Sequence, residues 1–207
     1  MIIAGAGGHA KEVLDILVST SPGITMSFLD ENKSERFFCQ NYPIIQNEEE
    51  ILAALQEDPR FVLGTGKPET RKAFYDKLTR LGGELFSLRG MGLVLSPSSD
   101  CLEADIFSLC FVGPNTHIGR GCLVNTGAQI HHEVEIGDFA EISPAAVILG
   151  KAKIGFSCII GSNATILPKV NIGSRAIIGA GAVVTKDIPE GATVVGVPGR
   201  VIKLANR

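Results

Sequence analysis

Two incompatible rhythms of apolar positions divide the chain. From Ile106 onward every sixth residue is Ile or Val: Ile106, Val112, Ile118, Val124, Ile130, Ile136, Ile142, Ile148, Ile154, Ile160, Ile166, Ile172, Ile178 and Val184. Four residues after each comes a small or β-branched one, from Cys110 and Thr116 through Ala176 and Ala182 to Ile188. A helix cannot use a period of six, and a simple amphipathic strand uses a period of two. A short fixed repeat predicts a β-solenoid. Over it runs an 18-residue super-period, with Ile-Gly recurring at 118, 136, 154 and 172. Three short strands per coil, one on each side of a triangular prism, would produce it. The large apolar residue then fills the axis and the small one sits where the wall turns. Residues 18 apart would stack at about 4.8 Å. No residue is inserted between 106 and 188, so no loop is expected to leave a prism of about four and a half coils.

The first 88 residues alternate strand and helix signals instead. "MIIAG" is a short apolar strand, "HAKEVLDILV" has helical periodicity, and "ITMSFLD" is a second strand ending in Asp30. Asn47 and Glu50 form a capping box before "EILAAL". "RFVLGTG" is a third strand, Pro68 opens a helix to about Leu81, and "ELFSL" offers a fourth strand. Alternation of this kind predicts a parallel sheet with packed helices, a βαβαβ half of a Rossmann fold. The expected domains are residues 1–88 and 89–207.

Composition narrows the classes. Nineteen basic and 22 acidic residues give a net charge of −3, so the basic footprint of a nucleic-acid binder is absent. There is no apolar stretch of membrane-spanning length and no basic, apolar leader, which predicts a protein without a transmembrane segment or signal peptide. The five cysteines are odd in number and form no C-x-x-C pair, so a reduced cytoplasmic protein is expected. Cys110, Cys122 and Cys158 occupy the small-residue position of the repeat and are expected to pack.

Against the plain repeats, "IHHEVEIGDF" places His131, His132 and Glu133 together. His132 and Glu133 fall where neither apolar position of the hexad is used, so both side chains can point outward. One coil on, His132 stacks over Gly150, whose missing side chain leaves a backbone N–H open to a ligand. An imidazole, a carboxylate and an amide on one edge fit acyl transfer. The imidazole removes a proton from the incoming nucleophile, the carboxylate fixes its tautomer, and the amide receives the developing oxyanion.

The chain resembles the left-handed parallel β-helix acyltransferases built from hexapeptide repeats. More narrowly, "NTGAQIHHEVEIGDF" is similar to the corresponding segment of bacterial nucleotide-sugar acetyltransferases of the PglD and sialic-acid O-acetyltransferase (NeuD) type. "GAGGHAKEV", "FLDEN" and "GAGAVVTKDIPEGATVVGVPGRVI" extend that resemblance over nearly the whole chain. It implies His132 as catalytic base, Glu133 as its modulator and Asn125 seven residues before the base. It also implies acetyl-CoA as co-substrate and a homotrimer with coenzyme A between adjacent prisms. Gly150, and Ala180 from an adjacent subunit, would contact the pantetheine, with Lys186 and Arg200 at the phosphates. Two positions depart from the pattern: Glu141 stands where the family commonly has a second histidine, and Ser96 where it often has one at the domain junction.

Gly5, Gly7 and Ala10 spell G-x-G-x-x-A between a strand and a helix, with Asp30 at the end of the next strand. One mononucleotide-binding half holds one nucleotide. With the resemblance, this implies a nucleotide-linked amino sugar. Gly5, Gly7, Gly8, His9, Ala10 and Lys11 would surround the phosphates, and Asp30 and Glu31 the base or ribose. Gly64, Thr65 and Gly66 end the third strand at the same sheet edge, where such folds bind ligands. His9 either touches a phosphate or caps the helix.

The leading expectation is an acetyl-CoA-dependent N-acetyltransferase of the 4-amino group of a nucleotide-linked deoxy sugar for surface glycan. Glu141 is counted with the substrate residues. An O-acetyltransferase of sialic acid or a related sugar would use the same base. A metal hydratase on this solenoid would need three converging histidines. The solenoid offers only His117, His131 and His132, of which two are neighbours and His117 lies 15 residues from His132 and not one coil away, so no metal is expected. A non-catalytic nucleotide-sugar-binding protein is the remaining class.

Overall fold

At the start of the chain, apolar runs too short for helices become strands of one sheet. The computed structural model describes residues 1–204, in two units, Met1–Leu88 and a second beginning at Arg89. In the first unit Ile2–Ala4 (β1), with every residue buried, lies between Ser27–Leu29 (β2) and Arg60–Leu63 (β5), parallel to both. Helix α1 (Gly8–Thr20) follows β1, and α3 (Pro68–Arg80) follows β5, its first position taken by Pro68 as the missing N–H allows. Glu84–Leu85 (β6) closes one side of the sheet.

Two features of this unit differ from the sequence expectation. A hairpin, Phe37–Phe38 (β3) with Tyr42–Ile45 (β4), extends the other side of the sheet, giving the order β3-β4-β2-β1-β5-β6. Its turn places Cys39 and Gln40 at φ +47° and +67°. Those positions favour Asn and Gly, so the sequence carries no turn signal. The capping box before α2 (Glu48–Glu57) is half formed. Asn47 accepts from Glu50 N–H at 3.0 Å, but Glu50 accepts from Gln46 N–H at 2.7 Å, one residue before the cap.

The second unit is a three-sided parallel β-helix. Strands of two residues pair 18 apart on each face: Gln129 with Val147, Glu135 with Lys153, Glu141 with Ile159. The three faces are separate sheets, named here by those first residues. Every Ile and Val of the six-residue series is buried, as are the small residues that follow them. Burial of the Cys158 thiol among them pushes its pKa up to about 11, so it stays protonated and packs as a small apolar group.

The solenoid extends further than the regular period. Below Ile106, Arg89, Leu95 and Asp100 pair with Ile106, Val112 and His117, one residue short of the 18-residue register. The apolar series therefore slips out of step there. At the other end Ile188 pairs with Ile172. Ile188 thus occupies a large axial position two residues early, and not the small wall position that the count from Val184 assigned to it. The shortened corner is braced by Asp187, whose carboxylate accepts from Asn171 N–H at 2.8 Å and from its side-chain amide at 3.1 Å. Thr193–Val195 and Arg200–Lys203 close the end as an antiparallel pair.

Candidate active site

The corner between the Gln129 and Glu135 faces carries the ionisable group. Glu133 has φ +57°, in the left-handed region. Ala145, Lys151, Ser157 and Lys169 share that conformation at equivalent corners, so it belongs to the coil and is no strain particular to the site. Backbone bonds hold the corner: Glu133 N–H donates to Pro114 carbonyl at 2.9 Å, and Lys151 N–H to His132 carbonyl at 3.0 Å. His132 Nδ1 lies 2.9 Å from Glu133 Oε2. An ionised carboxylate only accepts, so Nδ1 carries the proton and Nε2 presents its lone pair. The hydrogen bond from His132 holds the Glu133 carboxyl below the usual carboxylate range, against a smaller opposing effect of desolvation. Lys151 adds in the same direction, its Nζ 3.4 Å from Glu133 Oε1.

Gly150 lies one coil above His132, against the imidazole. A Cβ at this position would stand 2.4 Å from His132 Nε2 and 2.5 Å from Cε1. Its carbonyl accepts from Lys169 N–H at 3.1 Å. Above Gly150 on this edge follow Lys169 and, in the shortened corner, exposed Lys186. His131, beside the base, is half-buried and packs against Phe111 with the rings tilted, centroids 5.7 Å apart.

Other expected residues lie elsewhere on the prism. Asn125 is buried at the corner between the Glu141 and Gln129 faces, its Oδ1 accepting from Thr126 N–H at 2.8 Å. Exposed Ala180 sits at that same corner, stacked on Gly161. Glu141 accepts from Ser143 Oγ at 3.1 Å on its own face, half a coil from His132. Within one chain Glu141 therefore does not lie beside the base, because nine residues carry the backbone round half of the prism. Arg200 is exposed in the closing strand.

In the first unit a cavity of about 350 Å³ opens at the carboxyl ends of β1, β2 and β5. Gly5, Gly7, Gly8, His9, Asp30, Glu31, Gly64 and Thr65 line it, together with Ala6, Asn32, Thr70 and Phe74, which sequence reasoning missed. The spacing of Thr70 and Phe74 puts both on one face of α3, which could have found them. Ala10 is fully buried and Lys11 exposed; neither they nor Gly66 line the cavity. Gly5 has φ +119°, and a side chain there would meet Gly64 carbonyl at 2.9 Å. The helix start differs from that of α2. Gly7 supplies no side-chain cap and no acidic residue occupies the first turn, whereas Asn47 and three glutamates fill those places in α2. N–H groups at the start of α1 are thus left for an anion. Buried Arg71 fixes the facing loop by donating to Leu63 and Thr65 carbonyls at 3.1 and 2.9 Å. Glu31 is paired with Lys77.

Comparison with known proteins agrees with both units. Residues 1–78 match the PglD N-terminal domain, and residues 151–186 the bacterial transferase hexapeptide of six repeats. The acetyltransferase domain of PglB from Neisseria gonorrhoeae, solved with acetyl coenzyme A, is 28% identical. The match covers 97% of this chain and 98% of that one, with a TM-score of 0.87. PerB from Caulobacter crescentus, solved with CoA and GDP-perosamine, is 26% identical over 98% of this chain and 96% of that one, TM-score 0.86. WeeI from Acinetobacter baumannii shares the fold, at 21% identity, 97% and 98% coverage and TM-score 0.67. These likenesses make the β-helix a left-handed one.

Proposed function

We propose, from the premise that the chain belongs to the PglD-type hexapeptide-repeat acetyltransferases, that it transfers acetyl from acetyl-CoA to the 4-amino group of a nucleotide-linked amino-deoxy sugar. The single observation that carries the reading is the His132 imidazole, held at Nδ1 by Glu133 with Nε2 free against Gly150. The similar structures, with acetyl coenzyme A in one and GDP-perosamine in another, support the substrate class.

In this reading His132 Nε2 accepts a proton from the neutral sugar amine as its nitrogen attacks the thioester carbonyl. The N–C bond forms, the C–S bond breaks, and the imidazolium returns its proton to the leaving thiolate. Glu133 remains ionised and stabilises the transient imidazolium. Gly150 N–H faces the developing oxyanion. The edge above the base, with Lys169 and Lys186, offers positive charge to the phosphates of an extended coenzyme A. The cavity at the start of α1 holds the nucleotide diphosphate.

The outward residues favour a shared site. On the Glu135 face they are His117, Glu135, Lys153 and Asn171, all polar and exposed. On the other two faces Phe111, Val147, Ile159, Ile177 and Val183 point outward, half-buried or exposed. We assign those two faces to contact between copies in a homotrimer, which would bring Glu141 and Ala180 of one copy toward His132 of another. The cysteines are unpaired, in keeping with a cytoplasmic enzyme, and among the described residues no helix is long and apolar enough to cross a membrane. A panel of UDP-, dTDP- and GDP-linked 4-amino sugars, with sialic acid as hydroxyl acceptor, incubated with acetyl-CoA and read by mass, tests the reading. An acetyl mass gain on an amino sugar is expected; gain only on sialic acid would replace amine by hydroxyl transfer.

A further inference from the structure

Glu133 has two carboxylate oxygens, and the base occupies only one. Its Oε2 faces His132 Nδ1 and its Oε1 faces Lys151 Nζ at 3.4 Å. Lys151 is the residue one coil above Glu133, and its N–H is fixed on the carbonyl of His132 itself. The backbone that carries the ammonium is therefore tied to the backbone that carries the base. Lys169, a further coil up, adds a like charge on the same edge, and Asn115 lies one coil below. We propose that Lys151 is a positioning residue for acyl transfer, holding Glu133 in the rotamer that keeps the His132 proton on Nδ1 and the lone pair on Nε2. The proposal rests on the assignment of His132 as base.

The physics separates this role from stability. The side chains of Lys151 and Glu133 are 50% and 45% exposed, and pairs so exposed contribute little to folding. A carboxylate on a freely rotating stem, by contrast, leaves Nδ1 part of the time, and each departure lets the proton move to Nε2. In that tautomer Nε2 has no lone pair to take the proton of the acceptor amine. Lys151 removes part of that freedom without touching substrate.

Long-range proton–nitrogen spectra of histidine-labelled protein report the tautomer of His132 directly and need no acceptor. In Lys151→Met the ratio of Nδ1–H to Nε2–H forms is expected to fall about two- to fivefold, the scale of an exposed ion pair. Lys151→Arg should keep most of it, and Glu133→Gln should lose it whether or not Lys151 is present. In turnover of the amino-sugar acceptor found by the mass screen, Lys151→Met should lower kcat by a similar factor, leave the KM for acetyl-CoA unchanged, and add nothing in the Glu133→Gln background. An unchanged tautomer ratio in Lys151→Met overturns the proposal. So does a raised KM for acetyl-CoA, which would make Lys151 a phosphate ligand, or effects of the two substitutions that simply multiply. Failure of the base assignment looks different: His132→Ala would retain turnover.

Discussion

At the scale of single residues, neighbours on one edge have unequal roles. As general base, His132 replaced by Ala or Asn should lose about 10²–10⁴-fold in kcat, with the fold intact because the side chain points away from the Ile and Val core. Glu133→Ala should cost less, since it orients and supports the base. His131→Ala should cost little. Steady-state kinetics on the three variants gives the order, and loss at His131 with retention at His132 would move the role to the other histidine. Gly150→Ala tests the same edge from the next coil. A methyl 2.4 Å from Nε2 must push the imidazole aside, so kcat should fall about 10-fold or more while circular dichroism and nucleotide-sugar affinity stay as in the parent. The His132–Glu133 pair and its register over Gly150 were legible in the sequence, because an 18-residue period fixes who stacks on whom. The same period placed Lys151 over Glu133, but whether the two side chains meet depends on rotamers at two left-handed corners, which no pattern encodes.

At the scale of elements, the start of β5 carries a charge cluster that pattern reading passes over. Asp58 accepts from Arg60 Nε at 2.8 Å and Nη2 at 2.7 Å, and its carboxylate lies 3.3 Å from the N-terminal ammonium. Arg60 first, and then the N-terminus, hold the Asp58 carboxyl well below its ordinary range, against the opposing desolvation. A depressed carboxyl adds stability above its unfolded pKa of about 3.9, and that stability is lost as pH falls through the folded value. Asp58→Asn should therefore destabilise the first unit by about 1–2 kcal/mol at pH 7, with a difference from the parent that shrinks below about pH 4. Urea unfolding at a series of pH values measures it; a difference independent of pH would remove charge as the cause. The β3–β4 hairpin shows the other limit of local reading, since Cys39 and Gln40 adopt positive φ for the sake of pairing with β2.

At the scale of the whole molecule, the proposed assembly follows from which faces carry apolar residues outward. A particle of about three times 21.9 kDa is expected in solution. Ile177→Asp, on an exposed outward position of the Glu141 face, should shift sedimentation toward monomer and lower kcat. Nucleotide-sugar binding, assigned to the first unit, should persist. A monomer with full activity would refute a shared site.

What the sequence by itself determined is whatever repeats or is local. The prism, its three faces, its buried Ile series and the His132 edge follow from periods of six and 18, because parallel strands of two residues leave no other register. The glycine loop and its helix follow from backbone sterics within a few residues. Tertiary structure alone decided the coil below Ile106 and the early arrival of Ile188, since there the chain drops one or two residues and pairing continues across the slip. It also separated Glu141, Asn125 and Ala180 from His132, because none of them lies a whole number of 18-residue coils from it, and a closed coil then puts them on other parts of the wall. Lys151 joined the site for the opposite reason: residues a full coil apart in sequence are adjacent in space.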